Sequence, residues 1–378
     1  MRKTVLKLVL LTLLMFVIAL PSHAAGQDRL KRDTVYQVMD LIVQHYNDNT
    51  GNSAQIEKRI KSLVESLNDP YSYFLNPSEY KELMNEYANN YVGIGILFNM
   101  SDNYPCIVRV YDDTPASDAG LQPGDVIIKV NGGNTADMSM EEFYTVMGGP
   151  DGSKIRITVR RSGVKDFELS LVRESIHISA VYYDVFDDGI GYIGLSQFSF
   201  DSAKEFRLAA AALKQQGVKE LIVDLRGNPG GFLTEAASIA GLFLMPGKPL
   251  SRITNVDGYS EVVRATGMPI CREMNTIVLV DEYSASASEL VSGALQDYQV
   301  AIIVGGKTFG KGTVQDLFPL KNGAAVNITV AEYFTPLKRP VNGVGITPDY
   351  KVNDPLLQLE KARELLKLQR DNKASATR

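Results

Sequence analysis

Thr276-Ile-Val-Leu-Val-Asp-Glu-Tyr-Ser-Ala-Ser-Ala-Ser-Glu289 joins a strand to a helix, and this junction decides the fold. Its first residues form an uninterrupted apolar and β-branched run, which predicts a buried strand. Glu289-Leu-Val-Ser-Gly-Ala-Leu-Gln-Asp297 then places apolar residues at helical spacing. A serine on the turn between them would lie at the positive end of a helix, beside backbone N–H groups that have no partner inside the helix.

Strands and helices alternate on both sides of this junction, which predicts an α/β fold whose core is a mixed, partly parallel sheet with flanking helices. The predicted elements cover residues 190–198, 201–216, 221–225, 232–243, 276–281, 289–298 and 300–305. Two amphipathic helical patterns precede this core. Their apolar stripes consist of Val35, Val38, Met39, Leu41, Ile42 and Tyr46, and of Ile60, Leu63, Val64 and Leu67. A further helix is predicted at 356–368, and the polar residues 370–378 are typical of a disordered tail.

The motif Ser286-Ala-Ser-Glu289 has two interpretations. It matches the Ser-x-x-Glu capping box, which requires no chemistry. Small residues crowd the turn, however, and would let a substrate backbone approach closely. A second glycine-rich turn, Arg226-Gly-Asn-Pro-Gly-Gly231, and a glycine-flanked lysine in Phe309-Gly-Lys-Gly-Thr-Val-Gln315 also favour a catalytic site.

These motifs resemble those of the C-terminal processing, or tail-specific, serine peptidases, and the resemblance covers the whole mature chain. It implies that Ser286 is the nucleophile, Lys311 the general base and Gln315 the residue that orients the lysine. The family's spacing between nucleophile and lysine is met by the 25 residues from 286 to 311, which selects Ser286 over Ser284 and Ser288.

A lysine base requires a lowered pKa, because an unperturbed lysine titrates near ~10.4 and stays protonated at neutral pH. The apolar neighbours Phe309, Val314 and Leu317 would desolvate Lys311 and lower its pKa. The amide oxygen of Gln315 could accept a lysine hydrogen without adding a charge that raises the pKa again. The three histidines, His23, His45 and His177, offer little for a Ser-His-Asp triad, and His177 is interpreted as a strand or domain-junction residue.

Hydrolysis through an acyl-enzyme also needs donors for an oxyanion. The turn that ends at Gly231 follows one predicted strand and precedes a helix, so it would present backbone N–H groups. The resemblance implies an oxyanion hole made by the N–H groups of Gly230 and Ala287, with Gly231 as the competing choice. A tight turn that binds no ligand is the structural alternative. Asp224 and Arg226 are interpreted as a structural ion pair that shapes this turn, and Asp297 is interpreted as a helix-end support.

A separate module is predicted before the peptidase core. Tyr91-Val-Gly-Ile-Gly-Ile-Leu97 and Pro115-Ala-Ser-Asp-Ala-Gly-Leu-Gln-Pro-Gly-Asp-Val-Ile-Ile-Lys-Val-Asn-Gly132 resemble the two halves of a PDZ domain. Such a domain binds an extended peptide as an added strand, while backbone N–H groups hold the terminal carboxylate. The alternative is an ordinary β-rich domain with glycine turns.

Four residues are predicted to bind the substrate tail: Gly93, Ile94, Gly95 and Ile96. In this hypothesis Ile94 and Ile96 line the peptide groove. Phe143 and Met147, on a predicted helix at 139–147, form the opposite wall. We therefore expect the substrates to be proteins or peptides with accessible C-termini.

The beginning of the chain predicts export. Arg2, Lys3 and Lys7 precede an apolar run of 13 residues, 8–20, and Ser22-His-Ala24 supplies small residues of a cleavage site. The run is shorter than the ~18 apolar residues of a spanning helix, so a secretory signal peptide is favoured over an uncleaved anchor. We expect an exported protein of a bacterial periplasm or cell envelope, with secretion as the less favoured alternative.

Composition limits the partners. A net charge of −5 and a pI near 5.4 argue against binding to nucleic acid. The two cysteines, Cys106 and Cys271, could form a disulfide only between the two domains, and free thiols are favoured over that alternative. No group of Cys, His or carboxylate residues has metal-ligand spacing, so we expect no metal and no cofactor.

The predicted domains are a signal peptide at 1–24, an N-terminal helical region at 25–90, an inserted PDZ domain at 91–175, a serine peptidase core at 176–353, and a C-terminal helix with a polar tail at 354–378. The predicted function is an endopeptidase that recognises C-terminal tails. Alternatives are a catalytically idle PDZ-containing scaffold and an acyl-transfer enzyme on a related core. Apolar helices at both ends would support a homodimer or pack on their own chain.

Overall fold

The computed structural model describes residues 53–376, and side chains from 57 to 372. Contacts group the chain from Ile60 onward into one compact unit. The predicted signal peptide and the first amphipathic stripe, Val35 to Tyr46, lie outside the described residues. None of the helices at 53–376 is long and apolar enough to cross a membrane.

Helices and strands are numbered along the described part of the chain. The helices are α1 Ser53–Glu65, α2 Pro77–Tyr87, α3 Pro115–Asp118, α4 Met140–Met147, α5 Ser202–Gln215, α6 Leu233–Ala240, α7 Ala287–Asp297 and α8 Pro355–Ala376. The strands are β1 Tyr73–Leu75, β2 Asn90–Gly93, β3 Ile96–Ser101, β4 Tyr104–Val110, β5 Val126–Val130, β6 Gly133–Asn134, β7 Lys154–Arg160, β8 Phe167–Val172, β9 Glu174–His177, β10 Val181–Val185, β11 Gly191–Leu195, β12 Glu220–Asp224, β13 Pro249–Asn255, β14 Ser260–Arg264, β15 Asn275–Val280, β16 Ala301–Gly305, β17 Thr313–Pro319, β18 Ala325–Phe334 and β19 Tyr350–Lys351.

The central sheet has the order β10-β11-β12-β15-β16-β19. β10 pairs antiparallel with β11, and the remaining neighbours are parallel, so the sheet is mixed as predicted. Its central strands are buried on both faces: Val223 and Val278 face the layer of α5, α6 and α7, while Ile222 and Ile277 face α8. Burial on both faces explains why these strands are continuous apolar runs in the sequence.

The C-terminal helix is longer than predicted, and the prediction of a disordered tail is wrong for residues 370–376. Arg363 on α8 pairs with Asp188 at 2.8 Å. Further along the helix, Arg370 Nε donates to Glu220 Oε1 at 3.0 Å. The polar face of α8 therefore pairs with acidic residues of the core. These ion pairs order a segment whose composition alone favours disorder.

The inserted domain has a sheet of order β3-β4-β5-β7-β8, with β6 paired to β5. Its core contains Ile107, Ile127 and Ile157, and the rings of Phe98 and Phe143 meet edge to face at 4.7 Å. The chain enters and leaves this domain through the β2–β9 ribbon, in which Asn90 lies opposite His177.

The junction beside this ribbon involves His177, as predicted. One ring nitrogen lies 3.1 Å from the carbonyl oxygen of Ala88, and the other lies 2.9 Å from Glu205 Oε1. Cys106 and Cys271 are unpaired, as predicted, and burial raises the pKa of the Cys271 thiol to about 12.

A second sheet packs beside the central one and has the order β1-β18-β13-β14, with β17 also paired to β18. In this sheet β1 pairs antiparallel with β18, and Tyr73 lies opposite Asn327. A segment that precedes the inserted domain therefore becomes part of the sheet that carries β17.

Candidate active site

Ser286 occupies the turn between β15 and α7, where its backbone has φ 53° and ψ −112°. A positive φ is uncommon for a residue with a side chain, and such strain clusters at functional sites. The N–H of Ser286 donates to Glu289 Oε2 at 2.9 Å, so the glutamate of the predicted capping motif fixes this conformation.

The two neighbouring serines have structural partners. Ser284 Oγ donates to the carbonyl of Leu225 at 2.7 Å, and Ser288 Oγ donates to the carbonyl of Asn228 at 3.0 Å. Both serines are fully buried, whereas Ser286 is half-buried. This geometry agrees with the choice of Ser286 from the motif spacing.

Lys311 lies in the loop between β16 and β17. Its Nζ lies 4.8 Å from the ring centroid of Tyr71. Burial lowers the pKa of Lys311 below its ordinary value, although the negative charges of Asp69 and Glu289 oppose that change. The net effect is a lowered pKa for Lys311, which a lysine base requires.

The carboxylate of Glu289 joins the serine turn to the lysine loop. Its Oε2 accepts the N–H of Ser286 and the N–H of Lys311, each at 2.9 Å. Its Oε1 accepts the Thr308 hydroxyl at 2.6 Å and the N–H of Gly310 at 2.7 Å. The side chain is fully buried, which raises its pKa, whereas the four donors favour the charged form. The sequence predicts only the cap at Ser286, because the other three donors come from a distant loop.

Tyr333, on β18, makes a second link between the same two residues. Its hydroxyl lies 2.6 Å from the carbonyl oxygen of Lys311 and 3.1 Å from that of Ser286. Burial, together with the charge of Glu289, raises the pKa of this phenol well above its ordinary value, so it remains a donor. Ser286 and Lys311 are thus connected through both their N–H groups and both their carbonyl groups.

The effect of this connection can be measured in a Glu289→Gln variant. In this variant an amide nitrogen replaces one carboxylate oxygen and faces N–H groups, which can only donate. Buried donors would then lack partners, which should lower the free energy of unfolding by about 1–3 kcal/mol. We expect kcat to fall by about 10²-fold, because small displacements of reacting groups have effects of that size. The exposed Glu282→Gln is the matched control. An unchanged kcat for Glu289→Gln would show that the carboxylate does not position the site.

Gln315 lies on β17, beside an irregularity in the pairing between Val314 and Gln315. Its Nε2 donates to Thr313 Oγ1 at 2.8 Å and to Thr329 Oγ1 at 3.0 Å. Within residues 57–372 no hydrogen bond joins Gln315 to Lys311. The amide nitrogen is therefore fixed, and the contact of the amide oxygen with the lysine stays a prediction.

Gly230 packs directly against the serine turn. A Cβ added there would lie 2.8 Å from the Cβ of Ser286 and 2.9 Å from the nitrogen of Ala287, so only glycine fits at its φ of +103°. The N–H of Gly230 donates to Asn228 Oδ1 at 2.9 Å. Gly231, the competing choice, lies against Phe198, whose carbonyl oxygen would be 2.3 Å from an added Cβ. The two backbone groups predicted for the oxyanion hole are adjacent, but one of them is engaged within its own turn.

Two interpretations of charged residues are confirmed. Arg226 Nε donates to Asp224 Oδ1 at 2.9 Å at the start of the glycine-rich turn. At the end of α7, Asp297 accepts the N–H of Leu337 at 2.8 Å and Nε of Arg339 at 2.7 Å. These carboxylates hold loops in place.

In the inserted domain, β3 is an edge strand that pairs with β4 and with no other strand at 53–376. Gly93 ends β2, and Gly95 has φ +87° with no room for a side chain beside Thr114. Ile96 begins β3 and is partly buried. An open strand edge directly after a glycine turn is the geometry that strand addition requires.

The side chains expected to line the peptide groove differ in burial. Ile94 is 2% exposed and Phe143 is fully buried, so both belong to the domain core. Ile96 and Met147 are partly buried and pack against that core. The sequence pattern could not separate these roles, because groove and core side chains alternate on the same elements.

Comparison with known proteins finds matches for two regions of the chain. Residues 189–352 match the model of peptidase family S41, and residues 107–161 match a PDZ domain. The chain is 32% identical to the carboxy-terminal processing protease CtpA of Bacillus subtilis (strain 168) over 336 residues, covering 89% of this chain and 72% of that protein. It is 37% identical to the carboxyl-terminal-processing protease of Synechocystis sp. over 305 residues, covering 79% and 71%.

A solved structure has the same fold. The photosystem II D1 C-terminal processing protease aligns with a TM-score of 0.54 and 27% identity, covering 88% of this chain and 90% of that one. The fold and the relatives lead to one assignment: the chain belongs to the C-terminal processing serine proteases of peptidase family S41, which carry a PDZ domain.

Proposed function

We propose that this protein is an exported serine endopeptidase that binds the C-terminal tails of its substrates through the PDZ domain and hydrolyses them with Ser286 as nucleophile and Lys311 as general base. The observation that carries the proposal is the buried carboxylate of Glu289, which accepts the N–H groups of both residues. It supports a fixed separation between a nucleophile on a strained turn and a lysine whose pKa burial lowers.

In the first half of the reaction, neutral Lys311 Nζ takes the proton of Ser286 Oγ as Oγ attacks the scissile carbonyl carbon. The carbonyl oxygen becomes an oxyanion, which the N–H of Ala287 at the start of α7 would stabilise. Gly230 would be the second donor once its N–H exchanges Asn228 Oδ1 for the oxyanion. Lys311 then gives its proton to the leaving amine, and the C-N bond breaks.

In the second half, water attacks the acyl group on Ser286, and Lys311 accepts a proton from it. Collapse of the second tetrahedral intermediate releases the new C-terminus and returns the proton to Ser286 Oγ. Gln315 would orient Lys311 through its amide oxygen, because its nitrogen is held by two threonine hydroxyls. No carboxylate is needed in that role, and a carboxylate would raise the pKa of the base.

The PDZ domain would bind the tail along β3, with the terminal carboxylate held at Gly93, Ile94, Gly95 and Ile96. Backbone N–H groups and an open strand edge recognise an extended peptide through its main chain. The free carboxylate is then the feature that distinguishes a tail from an internal segment.

Amidation of a substrate's C-terminus tests this recognition. Amidation removes a charge-assisted acceptor and should weaken binding by about 1.5–3 kcal/mol, which raises KM by about 10- to 160-fold. KM is compared for free-acid and amidated forms of one tailed peptide. A peptide that spans only the cleavage site is the control, for which amidation should change little. Equal cleavage of the two tailed forms would show that the tail is not recognised through its carboxylate.

Export is supported by the first 24 residues, whose positive start, apolar run and Ser22-His-Ala24 end have the pattern of a secretory signal. We place the mature enzyme in a bacterial periplasm or cell envelope on this ground. Tail recognition suits such a location, because an unrestricted protease would damage neighbouring envelope proteins.

A serine-directed active-site reagent tests the enzymatic proposal against a catalytically idle scaffold. The enzyme should be labelled at Ser286 and lose hydrolysis in proportion, whereas a scaffold would take up no label at this serine. Product analysis separates hydrolysis from acyl transfer, because only hydrolysis yields a free carboxylate without an added acceptor.

A further inference from the structure

The segment Asp69-Pro-Tyr-Ser72 precedes β1 and is folded on its own carboxylate. Asp69 Oδ1 accepts the N–H of Tyr71 at 3.1 Å, and Oδ2 accepts the hydroxyl of Ser72 at 2.6 Å. Strand β18 anchors the segment from the other side. The N–H of Thr329 donates to Ser72 Oγ at 3.0 Å, and Asn327 Nδ2 donates to the carbonyl of Tyr71 at 2.9 Å. We call residues 69–72 the lead-in turn.

The lead-in turn reaches Gln315 through Thr329. These two residues lie opposite each other on β17 and β18, and Gln315 Nε2 donates to Thr329 Oγ1 at 3.0 Å. The link from Thr329 to Asp69 passes through Ser72: the N–H of Thr329 donates to Ser72 Oγ, and the Ser72 hydroxyl donates to Asp69 Oδ2. An amide nitrogen can only donate, so Thr329 Oγ1 is the acceptor in its hydrogen bond with Gln315. This chain of hydrogen bonds points the nitrogen of Gln315 toward Thr329 and leaves its oxygen on the other side.

The lead-in turn also contacts the catalytic lysine. Lys311 Nζ lies 4.8 Å from the centroid of the Tyr71 ring, within the distance at which a ring face attracts a cation. Burial alone would raise the pKa of Asp69, but the hydrogen bonds from Ser72 and Tyr71 and the charge of Lys311 lower it below its ordinary value, so Asp69 is ionised at neutral pH.

We propose that the lead-in turn positions the catalytic groups: Asp69 holds Ser72 and through it Thr329, the partner of Gln315, and the Tyr71 ring stabilises Lys311 while it carries the proton taken from Ser286. This inference rests on the proposed Ser286 and Lys311 chemistry. It assigns a role in the reaction to a segment that lies before the PDZ domain in sequence.

The groups that face Lys311 fix the sign of the pH effect. Asp69 from the lead-in turn and Glu289 from α7 are negative and raise the pKa of the lysine, against the effect of burial. Tyr333 touches the carbonyl of Lys311 and stays neutral because burial raises its pKa. Loss of the Asp69 charge should therefore lower the pKa of Lys311. Because the base acts when unprotonated, the acid side of the pH profile should move to lower pH.

The test compares Asp69→Asn with the unmodified enzyme in kcat, KM and the pH dependence of kcat/KM on a tailed peptide. We expect kcat to fall by about 10- to 100-fold with little change in KM. The acid midpoint should move to lower pH, which a loss of structural support alone would not cause. Asp316→Asn is the matched control, since Asp316 is exposed and adjacent to Gln315 on the same strand. An unchanged kcat, or a midpoint that stays or rises, would overturn the inference.

A pair of substitutions at Tyr71 keeps the test valid if Asp69→Asn fails to fold. Tyr71→Phe keeps the ring face and should retain kcat, whereas Tyr71→Leu should lower it by about 10-fold. Equal kcat values for the two would contradict the role of the ring. If Ser286→Ala remains active, the proposed chemistry itself is wrong. If Ser286→Ala and Lys311→Arg are inactive while Asp69→Asn and Tyr71→Leu behave normally, only this inference fails.

Discussion

Replacing Ser286 with Ala is expected to lower peptide hydrolysis by at least about 10⁴-fold, because removal of a nucleophile leaves only binding and oxyanion stabilisation. The fold should persist, since the capping contribution lost with the side chain is about 0.5–2 kcal/mol. The measurement is kcat for a tailed peptide with purified variant, alongside a thermal melt that verifies folding.

The flanking serines provide matched controls. Ser284→Ala and Ser288→Ala each remove a hydroxyl that satisfies one buried carbonyl, which should cost about 1–3 kcal/mol of stability and leave kcat close to that of the unmodified enzyme. Near-normal turnover by Ser286→Ala, or inactivity only of a flanking variant, would place the nucleophile elsewhere.

The second large effect concerns Lys311. Lys311→Ala and Lys311→Arg should both be inactive, the latter because a guanidinium stays protonated at every working pH. In the unmodified enzyme, activity should rise with pH through an apparent pKa below that of free lysine, since burial lowers the pKa of Lys311 and the base must be neutral.

The measurements are kcat/KM from acid to alkaline pH and the activities of the two variants. Gln315→Ala is the comparison, and it should weaken turnover less because it carries no proton. A flat pH profile together with an active Lys311→Arg would contradict a lysine base.

The central fold was predictable because the sequence patterns that specify its strands and helices are local. Apolar runs ended by glycine-rich or serine-rich turns, and followed by residues at helical spacing, predicted β12 with α6 and β15 with α7 at nearly their observed bounds. Burial of these strands on both faces matches their continuous apolar sequences.

Features that depend on distant partners were not predictable. The hydrogen bond between Ser72 and Thr329 joins residues separated by 257 positions, so nothing in the sequence near Asp69 indicates a connection with Gln315. The carboxylate of Glu289 has a local signal for one of its four donors and none for the loop at Thr308, Gly310 and Lys311. Likewise, the polar end of α8 is ordered by Glu220, which only the folded chain brings near Arg370.

The prediction of the oxyanion hole was limited in a related way. The family resemblance implies that Gly230 and Ala287 lie together, and an added Cβ at Gly230 would indeed meet the nitrogen of Ala287. The hydrogen bond from Gly230 to Asn228 depends on the exact turn conformation, which residue types alone do not determine.

The central claim, nucleophilic attack by Ser286 assisted by Lys311, is tested most directly by mapping the acyl-enzyme. Enzyme turning over an activated peptide ester is quenched in acid, digested and analysed by mass spectrometry over time. We expect the acyl group on Ser286, formed and lost at least as fast as turnover, and absent from Lys311→Ala. An acyl group on another residue, or hydrolysis at the normal rate with no acyl-enzyme at Ser286, would contradict the mechanism.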